Sequence, residues 1–235
     1  MPSYRTIARL TGSGYLIIFI TGFFSNFLVL EGLVDFDSAA ITMNNIAEQQ
    51  TQFRIGFVSF FIMVIVDLLL AWTLYLLLKP VNKNLSLLSG WLRVVNAAIF
   101  GIALFHLLSV LKLSGGDDYL TAFSPEQLQA QIMLMVNAFN HTWLIGLVFF
   151  GLHLLLLGYL IYKADFIPKI LGIFLIIAGF GYLIDSFAHF LLINYQDYKD
   201  FFLMIVLIPG VIGELSLTIW LLVKAGKLPE IPETV

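Results

Sequence analysis

The chain has 235 residues, of which 60% are hydrophobic and only 11% charged, with a formal net charge of -3. A soluble domain carries about 25% charged residues, so this composition, with a mean hydropathy of +0.96, excludes an ordinary soluble domain and indicates a membrane protein with several spans. The sequence has no cysteine, which excludes disulfides, thiolate metal sites and cysteine nucleophiles. No long basic run is present, so we expect no nucleic-acid partner.

Six apolar segments are long enough to cross a bilayer, which takes about 20 residues of helix. They cover residues 10–33, 55–78, 87–111, 143–162, 170–192 and 201–223. Each segment is continuously apolar, which is typical of helices, whereas the strands of a membrane barrel alternate. The first segment follows Arg5 and Arg9 as in a signal peptide, but no small-x-small site closes it, so we expect a retained span. We predict an all-α helical bundle in which residues 1–235 form a single six-span membrane domain in a lipid bilayer.

The lysines and arginines are unevenly divided between the two ends of these segments. One side receives Arg5, Arg9, Lys79, Lys83, Arg93, Lys163, Lys169, Lys224 and Lys227. The other side receives only Arg54, Lys112 and Lys199, with most of the acidic residues. Cytoplasmic loops of membrane proteins carry an excess of Lys and Arg, so we expect both termini in the cytoplasm.

Two loops on the opposite side contain predicted helix starts. Residues 37–53 are polar with interspersed apolar side chains, and we expect a short interfacial helix there. Ser124, Pro125 and Glu126 combine a capping hydroxyl, a proline in the first turn and an acid near the positive end of the helix dipole. A helix from there to Tyr162 would be about 57 Å long at 1.5 Å per residue, so its first turns must project from the hydrocarbon core or bend.

The second, fourth and sixth segments share one pattern. Each has an ionisable residue, a leucine-rich turn, an aromatic residue, a lysine and then a proline. The residues are Asp67, Trp72, Tyr75, Lys79 and Pro80; His153, Tyr159, Lys163 and Pro168; and Glu214, Trp220, Lys224 and Pro229. This pattern is typical of repeated helical hairpins, here three, but it is also partly generic to leucine-rich spans with inner lysines, so chance similarity stays an open alternative.

Three ionisable side chains lie at the same expected depth inside the membrane. Counted from the inner ends of their segments at 1.5 Å per residue, they are about 13–17 Å deep. An ionisable group is costly in lipid unless another group compensates for it, so we predict a buried polar site near the middle of the membrane. The predicted binding residues are Asp67, His153 and Glu214 at this depth, Asn96 at a similar depth, and Asp185 with its i+4 neighbour His189 one or two turns further out.

Three functions fit such a site. Asp67, His153 and Glu214 are candidate ligands of a divalent metal, zinc or iron, with Asp185 as the candidate catalytic base of a hydrolase-like enzyme acting on a lipid-like substrate. The same groups can instead carry protons or bind an ion or small solute during transport. The third alternative is a structural or regulatory protein whose polar network only holds helices together, at about 0.6–2 kcal/mol per contact. We favour binding or transport of a small solute, ion or proton.

Several motifs along the chain resemble those of a known family. They are YRTIARLTG at residues 4–12, FR at 53–54, LLLKPVNK at 76–83, FFGLH at 149–153, FIPKILG at 166–172, GYLIDSF at 181–187 and GELSL at 213–217. The chain is similar, over nearly its whole length, to the bacterial membrane family catalogued as domain of unknown function 4386. The resemblance implies a bacterial inner-membrane protein with about six spans and implies no reaction. It covers His153, Asp185 and Glu214.

Overall fold

A computed structural model describes residues 3–224, and every regular element in that range is helical. Six of the helices are long and apolar enough to cross a membrane, which confirms the predicted all-α polytopic fold. Lys227 and Pro229, which contributed to the predicted charge asymmetry and repeat, lie outside the described residues. The predicted repeat and the single-domain organisation stay predictions.

Seven α-helices of ten or more residues follow one another within residues 3–224. They are α1 (Tyr4–Phe23), α2 (Ala39–Glu48), α3 (Gln50–Leu78), α4 (Lys83–Leu113), α5 (Pro125–Lys163), α6 (Lys169–Leu191) and α7 (Lys199–Lys224). Helix α1 continues through a π-helical stretch, Phe24–Leu30, and a last α-helical turn, Glu31–Leu33. The short helix expected between the first two spans is α2, whose N-terminus is capped by the side chain of Ser38. Helix α5 begins at Pro125 as predicted and runs unbroken for 39 residues.

The chain divides into two compact units. Unit 1 comprises the described residues of Met1–Ile17, Val66–Ala97 and Ile145–Val235, and unit 2 comprises Ile18–Ile65 and Ala98–Leu144. Within unit 1 each of the six spanning helices contacts two others, so the contacts lead from α1 through α3, α4, α5, α6 and α7 back to α1. The contacts are those of Gly14 with Leu70 (α1–α3), Gly90 with Ala71 (α3–α4), Ser89 with His153 (α4–α5), Gly158 with Gly172 (α5–α6), Gly213 with Phe174 (α6–α7) and Gly12 with Leu221 (α7–α1).

Unit 2 contains the π-helical stretch, which no pattern in the sequence predicts. The hydroxyl of Ser25 donates to the carbonyl of Gly56 at 2.9 Å, and the side-chain amide of Gln52 donates to the carbonyl of Leu28 at 2.8 Å. The side chain of Gln52 thus supplies a donor to a carbonyl of the π-helical stretch. Unit 2 also contains a stacked aromatic pair, in which the ring centroids of Phe100 and Trp143 lie 3.5 Å apart.

Paired glycines bring α5 and α6 into close contact in unit 1. A Cβ added to Gly158 would lie 2.6 Å from the carbonyl oxygen of Gly172, and one added to Gly172 would lie 2.5 Å from that of Gly158. Gly151 and Gly179 form a similar pair, with corresponding distances of 3.0 and 2.9 Å. On each helix the two glycines are seven residues apart, about two turns, so they lie on one face. This contact positions the part of α5 that carries His153.

Helix α7 contains Pro209 about one turn before Glu214, and the helix continues past the proline. Proline has no backbone N–H, so the carbonyl of Ile205, four residues earlier, loses its helical donor. Gly181 of α6 lies against that carbonyl, because an added Cβ would be 2.5 Å from its oxygen. The close approach of α6 and α7 at this point brings Tyr182, the residue after Gly181, next to Glu214.

Candidate functional site: a buried arginine with contacts from several spans

Arg93 lies in the interior of unit 1, about 15 Å along α4 from its first residue at 1.5 Å per residue. Its side chain is 1% exposed and that of Asp67, on α3, is 5% exposed. Nη2 of Arg93 donates to Oδ1 of Asp67 at 2.5 Å. A guanidinium stays charged in proteins, so its burial requires a partner of opposite charge. Nδ2 of Asn96 donates to the other carboxylate oxygen at 3.0 Å, and both oxygens of Asp67 are therefore occupied.

His153 accepts a hydrogen bond from the same arginine. Its Nδ1 lies 2.9 Å from the carbonyl oxygen of Ser89, which can only accept, so Nδ1 carries the ring hydrogen. Its Nε2 is then the acceptor for Nη1 of Arg93, at 3.1 Å. Since the ring has one donor and one acceptor, His153 is neutral in this arrangement.

Two aromatic rings enclose the guanidinium. Cζ of Arg93 lies 5.1 Å from the ring centroid of Tyr15 on α1 and 5.5 Å from that of Phe150 on α5. Nη1 also donates to the hydroxyl of Tyr15 at 3.4 Å. Cation–π contacts of this kind are strongest where water is excluded, so the rings stabilise the charge while keeping its surroundings apolar. We call Tyr15, Asp67, Ser89, Arg93, Asn96 and His153 the polar centre.

Two buried atoms of the polar centre have no hydrogen-bond partner within residues 3–224: Nε of Arg93 and Oδ1 of Asn96. The first is a donor and the second an acceptor. Buried polar atoms nearly always have a partner, either protein or ordered water. These two atoms therefore mark positions where a water molecule or a small polar ligand can bind.

Glu214 and Tyr182 lie beside the polar centre. The hydroxyl of Tyr182 donates to Oε1 of Glu214 at 3.4 Å, and the carboxyl group of Glu214 interacts electrostatically with Arg93 and Asp67. Glu214 is half-buried, unlike Asp67, so part of its surface remains accessible. All six spanning helices thus contribute to one charged region. The residues are Tyr15 of α1, Asp67 of α3, Arg93 of α4, His153 of α5, Tyr182 of α6 and Glu214 of α7.

Asp185 and His189 make their contacts elsewhere, near the end of α6. Oδ1 of Asp185 accepts from the hydroxyl of Tyr195 at 2.7 Å, and the ring of His189 lies 4.5 Å from the ring of Tyr195. The structure therefore brings Asp67, Asn96 and His153 into one network, with Glu214 in electrostatic contact. Asp185 and His189 belong to a separate group around Tyr195.

The expected metal ligands are not grouped around an open position in this arrangement. No group of three or more His, Asp or Glu side chains that could hold a metal occurs within the described part of the chain. The guanidinium of Arg93 lies between Asp67 and His153, where a shared ion would have to bind, and it contacts both. A metal ion at this position would also meet the positive charge of the arginine, which repels it.

The position of Arg93 near the start of a span predicts a charge at the inner surface, and the structure corrects this. The arginine is buried beside Asp67. A sequence signal was present: Ser86, Ser89, Arg93 and Asn96 recur at intervals of three and four residues along an apolar helix, which puts them on one face. All four are buried. An arginine near the end of a span is usually interpreted as a topology signal. Under that interpretation the four residues were not recognised as one buried polar face of α4.

Comparisons with known proteins identify a family but no activity. A family model described as "Domain of unknown function (DUF4386)" matches residues 10–225. An "Uncharacterized protein" from Archaeoglobus fulgidus is 33% identical over 177 residues, which cover 75% of this chain and 88% of the relative. No solved structure matches the chain.

Proposed function

The chain belongs to the family described as Domain of unknown function (DUF4386), and because this description names no activity, we propose from the polar centre that the protein binds and transports a proton or a small monovalent cation. The observation that carries the proposal is the contribution of six helices to one buried charged region. Burying ionised groups costs several kcal/mol each. Apolar helices can pack through glycines without this cost, so helix packing alone does not account for the charged groups.

The balance of charges supports a monovalent cation. Among the described residues, Arg93 is the cation that acts on Glu214, Asp67 is its ion-pair partner, and Tyr15 and Tyr182 are the other titratable groups around Glu214. His153 is neutral by its hydrogen bonds. Arg93 and Asp67 cancel, so an ionised Glu214 leaves one negative charge over. A single proton or monovalent cation neutralises that charge, which favours such a ligand over an anion or a divalent ion.

Glu214→Gln tests this proposal, because glutamine has nearly the same shape and cannot take up a proton. The protein is reconstituted in vesicles that contain a pH indicator, and a potassium gradient with valinomycin drives proton entry. We expect the wild type to acidify the vesicles and Glu214→Gln to reduce the rate at least tenfold, to near that of empty vesicles. Repeating the assay with sodium or potassium gradients separates proton from cation transport.

Asp118→Asn is the matched control, since it removes one carboxylate from an exposed position in the short 3-10 helix Asp118–Ala122. It should keep the wild-type rate. A folded wild type that moves neither protons nor monovalent cations would overturn the proposal, as would a Glu214→Gln variant with full activity. Elemental analysis of the same preparations tests the metal-dependent enzyme, which stays a prediction. One zinc or iron per chain, lost in His153→Ala and Glu214→Ala, would favour it.

We also propose that the protein resides in the bacterial inner membrane with both termini in the cytoplasm. Removing Arg93 from the count of inner charges leaves the excess on that side intact, so the charge rule still supports this orientation. The chain has no cysteine. A single introduced cysteine can therefore report on which side of the membrane its position lies. In intact bacterial cells we expect a membrane-impermeant thiol reagent to label Ala122→Cys and to label Ser3→Cys only after permeabilisation. Labelling in the opposite order would reverse the orientation.

A further inference from the structure

A cleft of about 440 Å³ lies in unit 1, away from the polar centre, where two spanning helices end. Helix α3 ends at Leu78 and α5 at Lys163. The cleft is lined by residues 80–82, by the last turns of α5 and by residues 164–166. Apolar spans end where the hydrocarbon core gives way to lipid headgroups, so the cleft lies at headgroup level.

Two residues of opposite charge line this cleft. Lys163 and Asp165 both border it, and neither side chain has an ion-pair partner among residues 3–224. Nζ of Lys163 lies 5.8 Å from the ring centroid of Tyr159, which also lines the cleft. The lining of the cleft therefore includes one lysine and one aspartate of opposite charge.

The side of α5 that leads to the cleft is apolar and exposed. Leu152 and Tyr159 are 38% and 44% exposed, and since they are seven residues apart they lie on one face of the helix. Tyrosine and lysine at the end of a span are typical of the membrane interface. A ligand with a charged head in the cleft can lay an acyl chain along this face.

We propose that the cleft binds the headgroup of a phospholipid that carries an amine, of the phosphatidylethanolamine type. Its phosphate pairs with Lys163 and its ammonium group with Asp165. A charge-assisted hydrogen bond at each end would orient the lipid, and the apolar face of α5 would hold one chain. A soluble phosphate ester with an amine shares the headgroup chemistry but has no acyl chain, so a comparison of the two ligands separates them.

Native mass spectrometry of the detergent-purified protein tests the proposal with three probes: phosphatidylethanolamine, phosphatidylglycerol and O-phosphoethanolamine. We expect one phosphatidylethanolamine to bind the wild type, with apparent affinity about tenfold weaker in Lys163→Gln and in Asp165→Asn. Lys169→Gln is the matched control. Lys169 also lies over a tyrosine ring, that of Tyr162 at 5.7 Å, but does not line the cleft.

Each alternative outcome is decisive. Equal binding of phosphatidylglycerol, or unchanged affinity in Asp165→Asn, would overturn the pairing of an amine with Asp165. Equal losses in Lys163→Gln and Lys169→Gln would show a general surface attraction instead of a site. Binding of O-phosphoethanolamine as tightly as the lipid would assign the cleft to a soluble ligand. Circular dichroism and size-exclusion chromatography check that the variants, all at exposed positions, keep the fold.

Discussion

Arg93→Met is expected to lower the free energy of unfolding by about 3–5 kcal/mol, because it leaves the carboxylate of Asp67 buried without its cation. Methionine keeps much of the side-chain volume and the contacts with the rings of Tyr15 and Phe150, so little of the loss would come from a cavity. The measurement is an unfolding titration of the purified protein in mixed micelles with increasing SDS, followed by circular dichroism.

A double-mutant cycle isolates the pair. Asp67→Asn removes the charge that needs compensation, so Arg93→Met combined with Asp67→Asn should be less destabilising than the sum of the two single changes. Arg93→Lys keeps the charge but not the forked geometry, and should fall between the wild type and Arg93→Met. Arg54→Met, at an exposed position, is the control and should change stability by less than about 0.5 kcal/mol. Additive losses in the cycle would show that the ion pair contributes no coupling energy.

Gly158→Ala is the second change with a large expected effect. The new Cβ would lie 2.6 Å from the carbonyl oxygen of Gly172 and 2.9 Å from the backbone nitrogen of Ile176. Backbone atoms of a neighbouring helix cannot move aside as a flexible side chain can, so α5 and α6 must separate. Overpacking of this kind costs about 1–3 kcal/mol. Because His153 lies on α5 between Gly151 and Gly158, we also expect the cation flux to fall.

Gly101→Ala is the control for this substitution. It makes the same chemical change within a spanning helix, at a glycine with nothing within 4 Å of the added Cβ. Alanine favours helix over glycine by about 1 kcal/mol, so this variant should be as stable as the wild type or more so, with unchanged flux. If Gly158→Ala behaved like Gly101→Ala in both measurements, the close contact of α5 with α6 would not determine the position of His153.

Local features of the sequence predicted the fold because the membrane imposes simple rules. Runs of about 20 apolar residues must be helical in lipid, and the helix start at Ser124 and Pro125 depends only on neighbouring residues. The π-helical stretch at Phe24–Leu30 was not predicted, and its Ser25 and Leu28 are hydrogen-bonded to Gly56 and Gln52, which lie 31 and 24 positions away. No periodicity within the segment reports such a contact.

Composition and apolar run length were enough to establish a helical protein with six candidate membrane spans, and they predict similar depths for Asp67, His153 and Glu214. Depth follows from counting residues along each helix. Which side chains meet became clear from the packed helices alone, because the rotation of each helix about its axis depends on packing against neighbours, such as that of the glycines of α5 and α6. It placed Arg93 between Asp67 and His153, and it separated Asp185 from them. In the observed rotation of the helices, the three expected metal ligands Asp67, His153 and Glu214 surround the buried side chain of Arg93.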